Sequence, residues 1–362
     1  MFLVDRIYKK LGGIIACIML GIIIFSKNIP ADAGQNIHLN QKSIAIIEGK
    51  SSILKLDGTS NNQKKEIIWR SQDNKIASVN SNGKVTAKKE GYTIISASHK
   101  GKEYRYKVVV LSKDNASYRK DAVTSGTKKY RGFLADNVFH SKNNGDIHYN
   151  VYFPDSYNGK SRYALFVTLP GYQGLYFQGV AENIKTEDFG FEAKKYNKKM
   201  IVLAPQLNDW QETSANQTIA LIEYFLSHYK INPSKVYIDG YSGGGETLSI
   251  VLGKRPELFT AALMCSSQWD GNYKPVVQAE TPVYFVIGEK DEYYSPEPFK
   301  NAYKKLYSLY KDQGFKESEI NKLLVLDVKG RSYFEGTGIT YQHGGGYLFC
   351  RDKEIMGWLF KK

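Results

Sequence analysis

Two patterns of apolar and polar positions follow one another along the chain. From about residue 37 to 111, apolar residues come in short runs separated by turn formers, at 43–47, 52–56, 66–70, 76–79, 84–87, 92–98 and 104–111. Short runs of alternating character with turns between them are the signature of half-buried strands, and no helix of useful length fits among them. This spacing predicts an all-β sandwich, with Asn82-Gly83 as a two-residue hairpin turn. Residues 113–130 are polar and lack apolar periodicity, which predicts a linker or irregular segment.

Beyond residue 130 the pattern changes. Segments 147–153, 164–169, 200–204, 235–239, 261–265, 282–287 and 323–328 read as strands, several as continuous apolar runs suited to burial on both faces. Helical patterns lie among them at 214–229, 245–252, 296–313 and 352–359. Such alternation predicts an α/β unit with a mostly parallel sheet flanked by helices.

The N-terminus reads as an export signal. Arg6, Lys9 and Lys10 precede an apolar run over 11–25, and Ala31-Asp32-Ala33 places small residues where a signal peptidase reads them. Cleavage after Ala33 would make residues 1–33 a signal peptide, and the protein secreted or held at the cell surface. An uncleaved membrane anchor is the alternative, although this run is shorter than the roughly 20 residues a span needs. Cys17 lies within the run, which continues past it and so argues against lipidation there. Export would leave Cys265 and Cys350, to pair in an oxidising compartment or to stay as two buried thiols.

Composition adds little. Across 362 residues, 50 Lys+Arg against 36 Asp+Glu give a net charge of +14, but the basic residues are scattered through the sequence. No nucleic-acid partner is expected from them. With no C-x-x-C pair and no Cys/His cluster at zinc spacing, neither a metal site nor a cofactor is expected.

One segment carries chemistry. Residues 235–239 read as a strand, Gly240-Tyr241-Ser242-Gly243-Gly244 is a G-x-S-x-G, and a helix follows. That context exposes the Ser242 hydroxyl on a sharp turn where Gly240 and Gly244 leave room, and it aims the helix's N-terminal amides at developing negative charge. A serine nucleophile needs a base, and the base needs an orienting carboxylate. In the order serine, acid, histidine, only His343 of the six histidines follows Ser242. Asp291, just past the strand 282–287, is the chosen acid, with Glu289, Glu292 and Asp270 as competitors. Backbone donors for an oxyanion are expected from Gly243 and, in the loop after 164–169, from Tyr172. Loop residues Asn208, Asp209, Trp210 and Trp269 are candidates for substrate contact or for ordinary packing.

Two family resemblances rest on these residues. Trp69, Ile76-Ala77-x-Val79, Gly83 and Gly91 fall in the order seen in group 2 bacterial immunoglobulin-like domains, so residues 37–112 resemble that module. The resemblance implies a spacer or adhesive role on an exported protein, with cell-wall or polysaccharide contact. Residues 131–362 resemble the α/β-hydrolase family, in particular exported esterases and depolymerase-like members related to feruloyl esterases and polyhydroxybutyrate depolymerases, and prolyl-oligopeptidase-like peptidases. The resemblance implies an acyl-enzyme on Ser242. An ester substrate, polymeric or small, is expected first; a peptide substrate and a non-catalytic surface adhesin are the alternatives.

Overall fold

The computed structural model describes residues 37–39 and 41–362; the expected signal segment and Cys17 lie outside the described residues. Among the described residues no helix is long and apolar enough to cross a membrane. Residues 37–362 form one compact unit.

The first part is a β-sandwich. One sheet orders Ser43–Ile47, Lys102–Leu111, Gly91–His99 and Ile68–Ser71; the other orders Ser51–Ile53, Lys84–Ala87 and Ala77–Val79. Val85, Ile95, Ala97, Tyr106 and Val108 fill the space between the sheets. Ile94, next to Ile95 in the sequence, is only half-buried, because neighbouring strand residues point to opposite faces. The turn at Asn82-Gly83 is longer than a two-residue hairpin, since Asn80 Oδ1 accepts from the amides of Asn82 (3.0 Å) and Lys84 (3.0 Å) and holds a wider loop. Gly83 has φ +75°, and a Cβ there would lie 2.9 Å from the Trp69 ring. A single helical turn, Asn61–Lys65, also interrupts the strands.

The second part is built on one mixed sheet. In chain order its main strands are β1 (Phe133–Ser141), β2 (Gly145–Tyr152), β3 (Tyr163–Leu169), β4 (Met200–Pro205), β5 (Ile231–Tyr241), β6 (Ala261–Cys265), β7 (Val283–Gly288) and β8 (Leu324–Lys329). Their spatial order is β1-β2-β4-β3-β5-β6-β7-β8. Strands β1, β2 and β4 pair antiparallel, and from β4 to β8 every pairing is parallel. Helices α1 (Glu212–His228), α2 (Gly243–Lys254), α3 (Tyr273–Ala279) and α4 (Glu297–Asp312) pack on one face with Leu165, Val167, Ile238 and Phe285. Helix α5 (Lys353–Phe360) covers the other face with Phe166, Val202, Leu263 and Val286. Alternate residues of one strand thus feed two cores, which is why these strands read as continuous apolar runs.

The stretch expected as a linker holds short elements: a helical turn Lys113–Ala116, and strands Val123–Thr124 and Lys128–Tyr130 that pair with β1. Val109 and Leu111 of the sandwich join the α/β core itself. Arg255, 6% exposed, ties the two parts together. Its guanidinium donates to Glu257 at 2.5 Å, to Glu223 at 2.5 Å, to the Val110 carbonyl at 3.1 Å and to Glu90 of the sandwich. Glu223, fully buried, also accepts from the Ser112 amide at 3.1 Å and from Asn115 at 2.7 Å.

Candidate active site

Strand β5 ends at Tyr241 and α2 begins at Gly243, so Ser242 alone makes the corner, with φ +55° and ψ −129°. That backbone conformation is costly for a residue with a side chain and persists where its surroundings impose it. The glycines make the corner sterically feasible. A Cβ on Gly240 would come 2.4 Å from the Gly244 carbonyl oxygen, and one on Gly244 would come 2.3 Å from that of Leu169. Both are far inside van der Waals contact, so neither position accepts a side chain without backbone movement. The Ser242 amide is held by the Cys265 carbonyl at 2.9 Å.

Ser242 Oγ lies 3.0 Å from His343 Nε2. On the far side of the ring, His343 Nδ1 lies 3.0 Å and 3.1 Å from the two carboxylate oxygens of Asp291. The three sequence-selected residues are therefore hydrogen-bonded in a line. Asp291 and His343 are buried, at 5% and 8% exposure. Burial alone would raise the Asp291 carboxyl, but His343 and the amides of Tyr294 and Tyr293 outweigh it and hold the group below its usual range.

The competitors sit elsewhere. Glu292 accepts from the amides of Gln342 and His343, each at 3.0 Å, and so fastens the histidine loop to the acid loop. Glu289 accepts from the Arg331 amide at 3.0 Å, and Asp270 from the Gln268 side chain at 3.1 Å. His343 is further fixed through its carbonyl, which accepts from the Tyr241 hydroxyl at 2.6 Å.

Gly243 is the first residue of α2 and Tyr172 the first of a short 3-10 turn, Tyr172–Gly174, positions whose amides have no partner within their own helix. Gly171, just before Tyr172, packs against the nucleophile: a Cβ there would lie 3.1 Å from Ser242 Cβ. Its own amide is taken by Glu187 at 2.8 Å. Burial pushes the Glu187 carboxyl up to about 8 against the effect of that amide. Asp239, two residues before Tyr241, is likewise pushed well up by burial, with Glu187 adding to it. Two carboxyls raised above their usual range thus lie behind the nucleophile.

Trp210 stands against Gly243, whose added Cβ would fall 2.2 Å from the indole Nε1. Among the described residues that nitrogen has no hydrogen-bond partner, and it is buried. Trp210 meets Tyr172 at 6.1 Å between ring centroids, and Tyr172 meets Phe177 at 5.6 Å; both outer rings are exposed. Trp269 packs instead on Tyr273 and bonds the Gly271 carbonyl, so it serves the core. Sequence reasoning missed Tyr293, Tyr294 and Glu246. Tyr293 and Tyr294 flank the His343 ring at 4.5 Å and 5.7 Å, and the Tyr294 hydroxyl donates to Glu246 at 2.5 Å. Nothing in an Asp-Glu-Tyr-Tyr string marks its tyrosines as site residues before the loop is folded. Beside Tyr241 a cavity of about 360 Å³ is lined by Gln173, Glu187, Phe189, Tyr341 and Tyr347.

Comparison with known proteins agrees with this architecture. Residues 33–109 match the bacterial Ig-like domain (group 2) family, and residues 206–270, which contain Ser242 but neither Asp291 nor His343, match the prolyl oligopeptidase family. No curated protein matches the chain. Among solved structures, a thermostable esterase superposes with a TM-score of 0.50 at 20% identity over 76% of this chain and 73% of its own. Oligopeptidase B from Leishmania major aligns with a TM-score of 0.42 at 12% identity, over 76% of this chain and 50% of its own. Est1E from Butyrivibrio proteoclasticus aligns with a TM-score of 0.41 at 13% identity, over 60% of this chain and 96% of its own. The chain is an α/β-hydrolase fold preceded by a bacterial Ig-like domain.

Proposed function

We propose that the protein is an exported serine hydrolase that cleaves a carboxylic ester through an acyl-enzyme on Ser242. The observation that carries this reading is the hydrogen-bonded line Ser242, His343, Asp291 at a strand-to-helix corner. In the first half-reaction His343 Nε2 takes the Ser242 proton as Oγ bonds to the ester carbonyl carbon. The resulting oxyanion is held by the amides of Gly243 and Tyr172, and His343 returns the proton to the departing alkoxide. Water then repeats the sequence on the acyl-enzyme, releasing the acid and restoring Ser242. Asp291 stays ionised, keeps the other ring proton on Nδ1 and stabilises the imidazolium. Export is supported by the N-terminal signal pattern and by the Ig-like module.

Peptide hydrolysis is the second reading, supported by the family match over residues 206–270. A fluorophosphonate probe tests the shared premise. The mature protein should label and Ser242→Ala should not; absence of labelling in well-folded wild type would sink the hydrolase reading. Turnover of p-nitrophenyl acetate or butyrate against peptide anilides then decides between ester and peptide.

A further inference from the structure

The loop that supplies Asp291 also folds back onto the nucleophile helix, and Tyr294 is where the two meet. The Tyr294 amide donates to Asp291 Oδ1 at 3.0 Å, its ring lies 5.7 Å from the His343 ring, and its hydroxyl donates to Glu246 at 2.5 Å. The same hydroxyl faces that of Ser242. One residue thus meets serine, histidine and aspartate together. Glu246 belongs to the first turn of α2, four residues beyond Ser242 on the same face of the helix, and is 9% exposed.

Two features show that this contact is held at a cost. Ser295, directly after Tyr294, has φ +54°, in the left-handed region that a residue with a side chain adopts only under constraint. Its amide closes the turn on the Asp291 carbonyl at 3.1 Å. The turn leaves Tyr293 exposed and Tyr294 half-buried. The second cost lies in Glu246. Burial opposes its ionised form, the Tyr294 hydroxyl favours it, and Asp270 opposes it further. An apolar residue at that position would avoid the penalty but would leave the Tyr294 hydroxyl unheld.

We propose that Tyr294 is a positioning residue whose bond to Glu246 clamps the acid loop onto the nucleophile helix and so keeps the His343 ring in line with Ser242 Oγ. The inference rests on the serine-hydrolase reading above. Ser242 follows β5, Asp291 follows β7 and His343 follows β8, and β6 separates β5 from β7 in the sheet. The sheet's own hydrogen bonds therefore do not set the acid loop against the corner; contacts between loop and helix must do so. The clamp also governs a proton. Because the Tyr294 hydroxyl gives its one proton to Glu246, it has none to give to Ser242 Oγ, whose lone pairs stay available for attack.

The test compares Y294F, E246A, E246Q and Y294F/E246A in the mature full chain. The control is Y163F, which loses a hydroxyl bond to the Ser156 carbonyl, also 2.5 Å, at the start of β3 and away from the site. Fluorophosphonate labelling should slow about tenfold in Y294F and in E246A, part of the roughly 10²-fold that a 1 Å misplacement costs, while E246Q, which keeps the acceptor, and Y163F stay within about threefold. The double variant should be no slower than E246A, because both substitutions break one bond. The His343 Nδ1 proton, held by Asp291, gives a downfield proton resonance that should move in Y294F and E246A and stay in place in Y163F. That resonance needs no turnover: a wild type that does not label sinks the hydrolase reading, whereas a resonance unmoved in Y294F sinks the clamp. Labelling of Y294F at the wild-type rate, E246Q as slow as E246A, or a double variant as slow as the product of the singles would overturn the clamp equally.

Discussion

Replacing Gly243 by alanine tests the corner where the backbone itself raises no objection. Gly243 is not among the glycines with positive φ, and inside a helix alanine is favoured over glycine by about 1 kcal/mol. The obstacle is Trp210: the new methyl would lie 2.2 Å from its Cε2 and Nε1 and 2.4 Å from its Cδ2, whereas carbon atoms rest at about 3.5–4.0 Å. A gap of more than an ångström must open. The indole is backed by Tyr172, so the strain moves either the Gly243 amide or the loop that carries the Tyr172 amide. Both are the proposed oxyanion donors, and one misplaced donor costs about 10²–10³ in rate, or roughly 3–4 kcal/mol. The second-order rate of fluorophosphonate labelling should therefore fall about 100-fold in Gly243→Ala. In the double variant with Trp210→Ala the methyl has room, and labelling should recover at least tenfold over Gly243→Ala, a coupling of about 1.4 kcal/mol. Wild-type labelling by Gly243→Ala, or a double variant as slow as the product of the singles, would refute the steric argument.

Two other perturbations separate neighbouring roles. Asp291→Asn should lower the labelling rate by about 10⁴, while Glu292→Gln, which keeps an acceptor for the loop amides, should lower it far less. Because the folded Asp291 carboxyl sits below its usual range, its contribution to stability is complete above the ordinary carboxylate pKa and is lost as pH falls through the lower folded value; the melting-temperature gap between wild type and Asp291→Asn should therefore close in acid. Arg255→Met leaves buried Glu223 without its cation and should cost about 3–5 kcal/mol, near 6 °C of melting temperature for a body of this size. Burial already raises the Glu223 carboxyl, and losing the arginine raises it further, so protonation relieves the variant as pH falls and its deficit should be smaller at pH 5 than at pH 8. Calorimetry showing a deficit under 1 °C, or one independent of pH, would count against a load-carrying junction.

What could be read in advance depended on whether the signal was local. The corner at Ser242 was legible because a strand, two obligatory glycines and a helix are adjacent in sequence, and the order of serine, acid and histidine left His343 as the one candidate base. Strand β1 was missed because the polar residues Asp136, Asn137, His140 and Ser141 break its apolar run, as an antiparallel strand near the end of the sheet allows. Tyr294 and Glu246 were missed for a different reason: they meet only when the loop after β7 folds over the start of α2, a contact between residues far apart in the chain. The Arg255 network is the extreme case: Glu90, Glu223, Arg255 and Glu257 are each unremarkable in the sequence, and they become a junction only when the sandwich and the α/β part are packed together.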